Sequence, residues 1–119
     1  MIVISGFNEL NEIIIENQNK CIVLCFGSTS CSPCKKLKDK LENEKNDNLF
    51  CISIDVNDPA NEEICDVYLI KIIPTIIIIK LKIISEEEKT TEVVNRVDGY
   101  DWVKFKMNYN DYINNRLQS

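Results

Sequence analysis

The chain has 119 residues, 45% of them hydrophobic, a formal net charge of −5, six cysteines and no histidine. That length fits one domain, spanning 1–119, able to bury about two-thirds of its unfolded surface. The acidic balance lacks the clustered Lys and Arg that nucleic acid requires, and zero histidine excludes any mechanism needing an imidazole base.

Met1 to Ile4 is a short β-type run, and Ser5 is placed to cap the helix that follows. Phe7, Leu10, Ile13 and Ile14 recur at helical spacing, so that helix should end near Asn19. Cys21 to Phe26 is apolar throughout, as a strand buried on both faces reads. Gly27 to Pro33 breaks the pattern as a loop. Beyond it Cys34, Leu37 and Leu41 share one helical face, with lysines opposite, to about Lys45. After a turn at Asn46 to Asn48, Leu49 to Val56 is the next buried strand.

Asp58-Pro59 punctuates the chain, and Pro suits a first helical turn. Ala60, Ile64 and Val67 mark a short third helix. Pro74 ends that segment, and Ile76 to Ile83 is a strongly β-branched strand. Ser85 to Lys89 is a polar loop, and Glu92 to Val97 returns as a strand. Tight hairpin loops hold about 2–5 residues, so either this connection is extended or its strands are long. Gly99 turns the chain, Asp101 caps a last helix, and Trp102, Phe105, Tyr109, Tyr112, Ile113 and Leu117 form its apolar face. The order β-α-β-α-β-α-β-β-α implies an α/β fold with a central mixed sheet and helices on both faces.

No stretch suits a transmembrane span, since Ile72 to Ile79 is too short and contains a proline. The start of the chain lacks the form of a signal peptide. A cytoplasmic location is therefore expected, with no membrane and no nucleic acid as partner, and a monomer. The abundance of Asn, Ile and Lys is the bias of an AT-rich genome and says nothing about chemistry.

Six cysteines do not read as a secreted disulfide framework here, because the chain can build a core without staples. Cys31-Ser32-Pro33-Cys34 stands apart: it follows a buried strand and opens an amphipathic helix. A helix start carries unpaired N–H groups and a partial positive charge, which stabilise a thiolate, the nucleophile of disulfide exchange. Two intervening residues let one cysteine start the helix while the other sits a turn inside. Cys31 is then the attacking thiol and Cys34 the resolving one, with Lys35 and Lys36 adding positive charge. The alternatives are an inert pair and a zinc half-site; Cys21 and Cys25 supply the other half by count only, because they lie in a buried strand. Cys21, Cys25, Cys51 and Cys65 are otherwise small buried hydrophobes, with Cys65 the one candidate for a regulatory thiol. No cofactor and no metal are expected.

These residues resemble the thioredoxin family. Cys31-Ser32-Pro33-Cys34-Lys35 is similar to its Cys-Gly-Pro-Cys-Lys, and Ile73-Pro74-Thr75 to its Ile-Pro-Thr before a buried strand. Ile54-Asp55-Val56-Asn57 and Gly99 fall in matching order. The resemblance implies a thioredoxin fold, a cis bond between Ile73 and Pro74, and Pro74 seated against the dithiol. Backbone beside that proline would pair with substrate peptide, so Ser30, Ser32, Pro33, Ile73, Pro74 and Gly99 are the expected substrate-binding residues. The implied activity is protein-disulfide reduction, with disulfide-containing proteins as substrates and a thioredoxin reductase or glutathione as electron donor. Departures are marked. The family's buried Asp is Cys25 here, its Lys partner matches Ser53, and the aromatic before the first cysteine is Ser30. Gly27 and Ser28 replace larger or apolar choices, and Asp39 stands where a kinking Pro is common. Without the Asp, nothing obvious deprotonates Cys34, so resolution should be slow or rely on water. A client-binding module with weak redox turnover is the second reading, and metal or cluster binding through Cys31 a third.

Overall fold

The computed structural model describes residues 1–44 and 46–118, with side chains described to Asn115. The elements run β1 (Ile2–Val3), α1 (Phe7–Glu16), β2 (Cys21–Gly27), α2 (Ser32–Glu42), β3 (Leu49–Asp55), a 3₁₀ turn (Pro59–Asn61), α3 (Glu62–Val67), β4 (Thr75–Ile83), β5 (Lys89–Asp98) and α4 (Trp102–Gln118). The expected order holds. The strands form one five-stranded sheet ordered β1-β3-β2-β4-β5. β1, β3 and β2 pair in parallel, and β4 and then β5 continue the sheet antiparallel, with β5 at the edge.

Side-chain alternation along β2 splits the core in two. Ile22, Leu24 and Phe26 face one side with Leu10 and Ile14 of α1 and Ile64 of α3. Cys21, Val23 and Cys25 face the other with Leu37 and Leu41 of α2 and Phe105 and Tyr109 of α4. A strand with both faces covered reads as continuous apolar sequence. The last helix starts as expected, with Asp101 Oδ1 accepting the Lys104 N–H at 3.0 Å. Trp102 packs on Phe105 at 5.5 Å between ring centroids, as an anchor. The Leu117 side chain and Lys45 lie outside the described residues; α2 itself closes earlier, at Glu42.

Several local expectations are corrected. Ser5 does not cap α1: the cap position is Gly6, at φ 88°, and the Ser5 hydroxyl bonds Asp58 Oδ2 at 2.7 Å instead. The Gly6 N–H is satisfied by Asn61 Oδ1 at 2.8 Å. α1 stops at Glu16 rather than Asn19, where the Asn17 N–H caps back onto Ile13. In the third helix Val67 is 60% exposed; Tyr68 takes the inward place beside Ile64. Ala60 lies in the 3₁₀ turn. Of the two alternatives for the closing hairpin the long strands hold, since Lys89 already pairs with Ile83 and β5 starts ahead of the expected Glu92. A bulge between Ile78 and Ile79 shifts the register.

Asn61 is fully buried, and its second bond runs from Nδ2 to the Asp55 carbonyl at 3.0 Å. It therefore joins the start of α1 to the end of β3. Asn61→Ala strands a donor and an acceptor in the interior, at about 1–3 kcal/mol. Urea unfolding should show that loss; an unchanged midpoint would contradict the tie.

Candidate active site

The reactive pair sits where β2 gives way to α2. β2 carries the chain to Gly27 in the middle of the sheet, and half-buried Ser28 leads through exposed Thr29 and Ser30 to Cys31. Cys31 is the N-cap of α2, in extended conformation at φ −94° and ψ 109°. Its Sγ accepts the Cys34 backbone N–H at 3.2 Å. Sulfur thus takes the place of a capping oxygen on one of the orphan donors of the first turn. Pro33 gives up no needed donor there. Cys31 and Cys34 are joined as a disulfide with Cα atoms 5.2 Å apart, inside the usual span for such a bridge. Both residues are half-buried, while Ser30, Ser32 and Pro33 are exposed around them.

The Ile73–Pro74 bond is cis, as the resemblance implies. Pro74 is buried and lines a cleft of ≈ 270 Å³ together with Cys34, Cys25, Ser53 and Asp55. Gly99, at φ 85°, donates its N–H to the Pro74 carbonyl at 2.8 Å. The structure therefore brings Cys34, Pro74 and Gly99 together from three separated stretches. Lys35 lines the same cleft, whereas Lys36 Nζ lies 5.0 Å from the Tyr100 ring centroid.

Sequence reasoning passed over the device that holds the proline loop. Arg96 of β5 donates to the carbonyls of Tyr68 and Leu69, the latter at 2.9 Å, and from Nε to Asp98 Oδ1 at 2.8 Å. Leu69 has φ 52°, a conformation costly for a side-chain-bearing residue, and it sits in this clamp. The Arg96 hydrogen bond holds the Asp98 carboxyl below its ordinary range. Thr75 is fully buried; its single hydroxyl proton goes to the Ile72 carbonyl at 2.6 Å, the nearer of its two acceptors. Only a basic residue on a strand with a carboxylate two places on hints at this in sequence.

The departures from the family pattern are also placed. Cys25 and Ser53 are direct register partners on β2 and β3 and form a neutral pair. Gly27 lies against Cys34: a Cβ there would stand 3.0 Å from Cys34 Sγ and 3.1 Å from its Cβ. Burial, then repulsion from Cys51, pushes the Cys25 thiol well up, and burial pushes Cys51 up to about 11. Cys21 is fully buried. Cys65 is half-buried, and desolvation followed by Asp66 raises it too, which opposes a reactive regulatory thiol. Among the described residues no cluster of His, Cys, Asp or Glu is arranged to hold a metal ion, and no helix is long and apolar enough to cross a membrane.

Thiols raised in the fold make stability fall in alkali. Unfolded, they ionise near the ordinary value of about 8.5; folded, they keep their protons longer. Their contribution is complete below that value and is lost as pH rises through the folded value, about 11 for Cys51. Urea midpoints should drop across this window, and less so in a Cys25→Ala/Cys51→Ala variant. Parallel curves for the two proteins would contradict this.

The comparisons with known proteins converge. The family model described as Thioredoxin matches residues 3–99. "Thioredoxin 3" of Plasmodium falciparum (isolate 3D7) is 32% identical over 66 residues, 56% of this chain and 36% of that protein, so the match spans about a third of the relative's length. The structure of Fasciola hepatica thioredoxin superposes with TM-score 0.71 at 25% identity, covering 90% of this chain and 94% of that one. Trichomonas vaginalis thioredoxin gives 0.74 at 23%, covering 94% and 96%. The second of these speaks to fold alone. With the family model spanning the dithiol, the cis-proline and the glycine turn in one match, the chain belongs to the thioredoxin family.

Proposed function

We propose that this protein is a thiol–disulfide oxidoreductase that reduces protein disulfides, with Cys31 as nucleophile and Cys34 as resolving thiol. One observation carries the reading: Cys31 Sγ sits at the start of α2 and receives the Cys34 N–H at 3.2 Å. That donor and the helix dipole favour negative charge on this sulfur, so Cys31 is the better attacking group and the better leaving group. In the forward step the Cys31 thiolate attacks a substrate disulfide and releases one substrate thiolate. Cys34 then attacks Cys31, releases the second, and leaves the oxidised pair.

Ser30, Ser32 and Pro33 form the exposed rim that a substrate would meet. Ile73 and Gly99 flank Pro74, and among the described residues the Ile73 backbone makes no hydrogen bond within the chain, which leaves it able to pair with an extended peptide. Leu69 and Ile72, 67% and 54% exposed, offer apolar contact nearby. With Ser30 in place of an aromatic, recognition rests more on backbone than on a large apolar rim. Electrons would come from a thioredoxin reductase or glutathione in a reducing compartment such as the cytoplasm, and no cofactor is needed for the exchange itself.

The test is turnover: reduced protein should accelerate insulin disulfide cleavage by dithiothreitol. The second reading, a client-binding module, is favoured by the neutral Cys25–Ser53 pair beneath the dithiol. Client binding without any acceleration over dithiothreitol alone would select it.

A further inference from the structure

We propose that Asp55, acting through water in the cleft beneath Cys34, takes the proton that Cys34 loses when it resolves a mixed disulfide on Cys31. The proposal rests on the oxidoreductase reading above. Resolution needs Cys34 as a thiolate, so its proton must go somewhere. Cys25 and Ser53 lie below it, and neither is ionised: the first is a thiol that burial keeps protonated, the second an alcohol.

Asp55 is the sole carboxylate among the described residues that line the cleft with Cys34. Its placement follows from the sheet. Gly27 and Asp55 are register partners on the parallel strands β2 and β3, which run about 4.8 Å apart. Asp55, Ser53 and Cys51 alternate onto the face that carries Cys25 and receives α2, because Ile52 and Ile54 point to the opposite core. A Cβ on Gly27 would stand 3.0 Å from Cys34 Sγ, so the sulfur occupies the space beside that missing side chain, and Asp55 lines the same cleft. A larger residue at 27 would wall one from the other. Asp55 Oδ1 accepts the Asn57 N–H at 2.9 Å, and Oδ2 has no partner among the described residues. The ≈ 270 Å³ of the cleft has room for several waters.

The step balances. The Cys34 sulfur forms a bond to the Cys31 sulfur, and the bond from Cys31 to the substrate sulfur breaks. The electron pair leaves with the substrate as thiolate, and the Cys34 proton passes through water to Asp55 and then to solvent. The pair is oxidised as the substrate is reduced. Other titratable or charged groups facing the cleft are Cys25 from β2, Lys35 and Lys38 from α2, and the amino terminus at Met1.

The experiment mixes reduced protein with an excess of a small aryl disulfide and follows two releases of aryl thiolate. The first reports attack by Cys31. The second reports attack by Cys34 and is identified by its loss in Cys34→Ser. Asp55→Asn should slow the second release about tenfold or more at pH 7, the modest end of general-base effects, and leave the first unchanged. The deficit should close as pH rises past the ordinary thiol range, about 8.5, and Asp55→Glu should recover part of the rate. Cys25→Ala should release at the wild-type rate. A wild-type second phase in Asp55→Asn across this pH range overturns the proposal, as does a deficit in Cys25→Ala equal to that of Asp55→Asn. If the wild type itself shows no second release, it is the oxidoreductase reading that fails.

Discussion

Cys31→Ser is expected to reduce insulin-disulfide turnover to the dithiothreitol background. The serine keeps the backbone geometry of the cap and supplies an oxygen to the Cys34 N–H, so α2 should fold as before. What is lost is the one sulfur at the helix start, and an alcohol does not replace a thiolate in disulfide exchange. Cys34→Ser should behave differently. Cys31 still attacks, the mixed disulfide has no resolving thiol, and substrate stays covalently attached until external thiol frees it. Gel analysis under non-reducing conditions would display these adducts for Cys34→Ser and none for Cys31→Ser. Full turnover by Cys31→Ser would sink the role assignment, because among the described residues no other cysteine caps a helix: Cys34 lies inside α2, Cys21 is fully buried, and Cys25, Cys51 and Cys65 are each raised by burial.

The dithiol was legible because it is a local solution to a local demand, whereas the cis bond at Pro74 and its seat beside the dithiol came only with the resemblance of the motifs. A cysteine ahead of an amphipathic run can cap a helix, and a buried strand needs an apolar run. The alternation of strand and helix then set the sheet. What stayed hidden depends on partners distant in sequence. Ser5 is a good capping residue, yet Asp58 competes for its hydroxyl and Asn61 takes over at Gly6. Val67 keeps helical spacing, but so short a helix has only one inward stripe, and Ile64 with Tyr68 fills it. Arg96 reads as one more surface charge until α3 is seen to end beneath it. Asp55 was visible within the motif Ile54-Asp55-Val56-Asn57, but its bearing on Cys34 required the register of β2 against β3 and the gap at Gly27.

That gap makes Gly27→Val the most informative substitution outside the cysteines. Gly27 is not at a positive φ, so valine meets no backbone penalty, and the branched side chain suits a strand. The conflict is steric alone. Its Cβ would already lie 3.0 Å from Cys34 Sγ and 3.1 Å from Cys34 Cβ, before two methyl groups are added. Neither side can retreat easily. β2 is paired along both edges, to β3 and β4, and α2 is anchored by the buried Leu37 and Leu41. Overpacking of this kind costs about 3 kcal/mol, the upper part of the usual range. The cost should differ between redox states. In the disulfide, Cys34 Sγ is tethered to Cys31 and cannot swing away; in the dithiol it can rotate about its own χ1. The oxidised form is therefore destabilised more, and the reduction potential becomes less negative, by about 30 mV for each 1.4 kcal/mol of difference. Urea unfolding in both states, with a titration against glutathione, measures the two quantities independently. Unchanged stability in both states and an unmoved potential would mean that Cys34 does not lie against residue 27, and the cleft that links it to Asp55 would go with that contact.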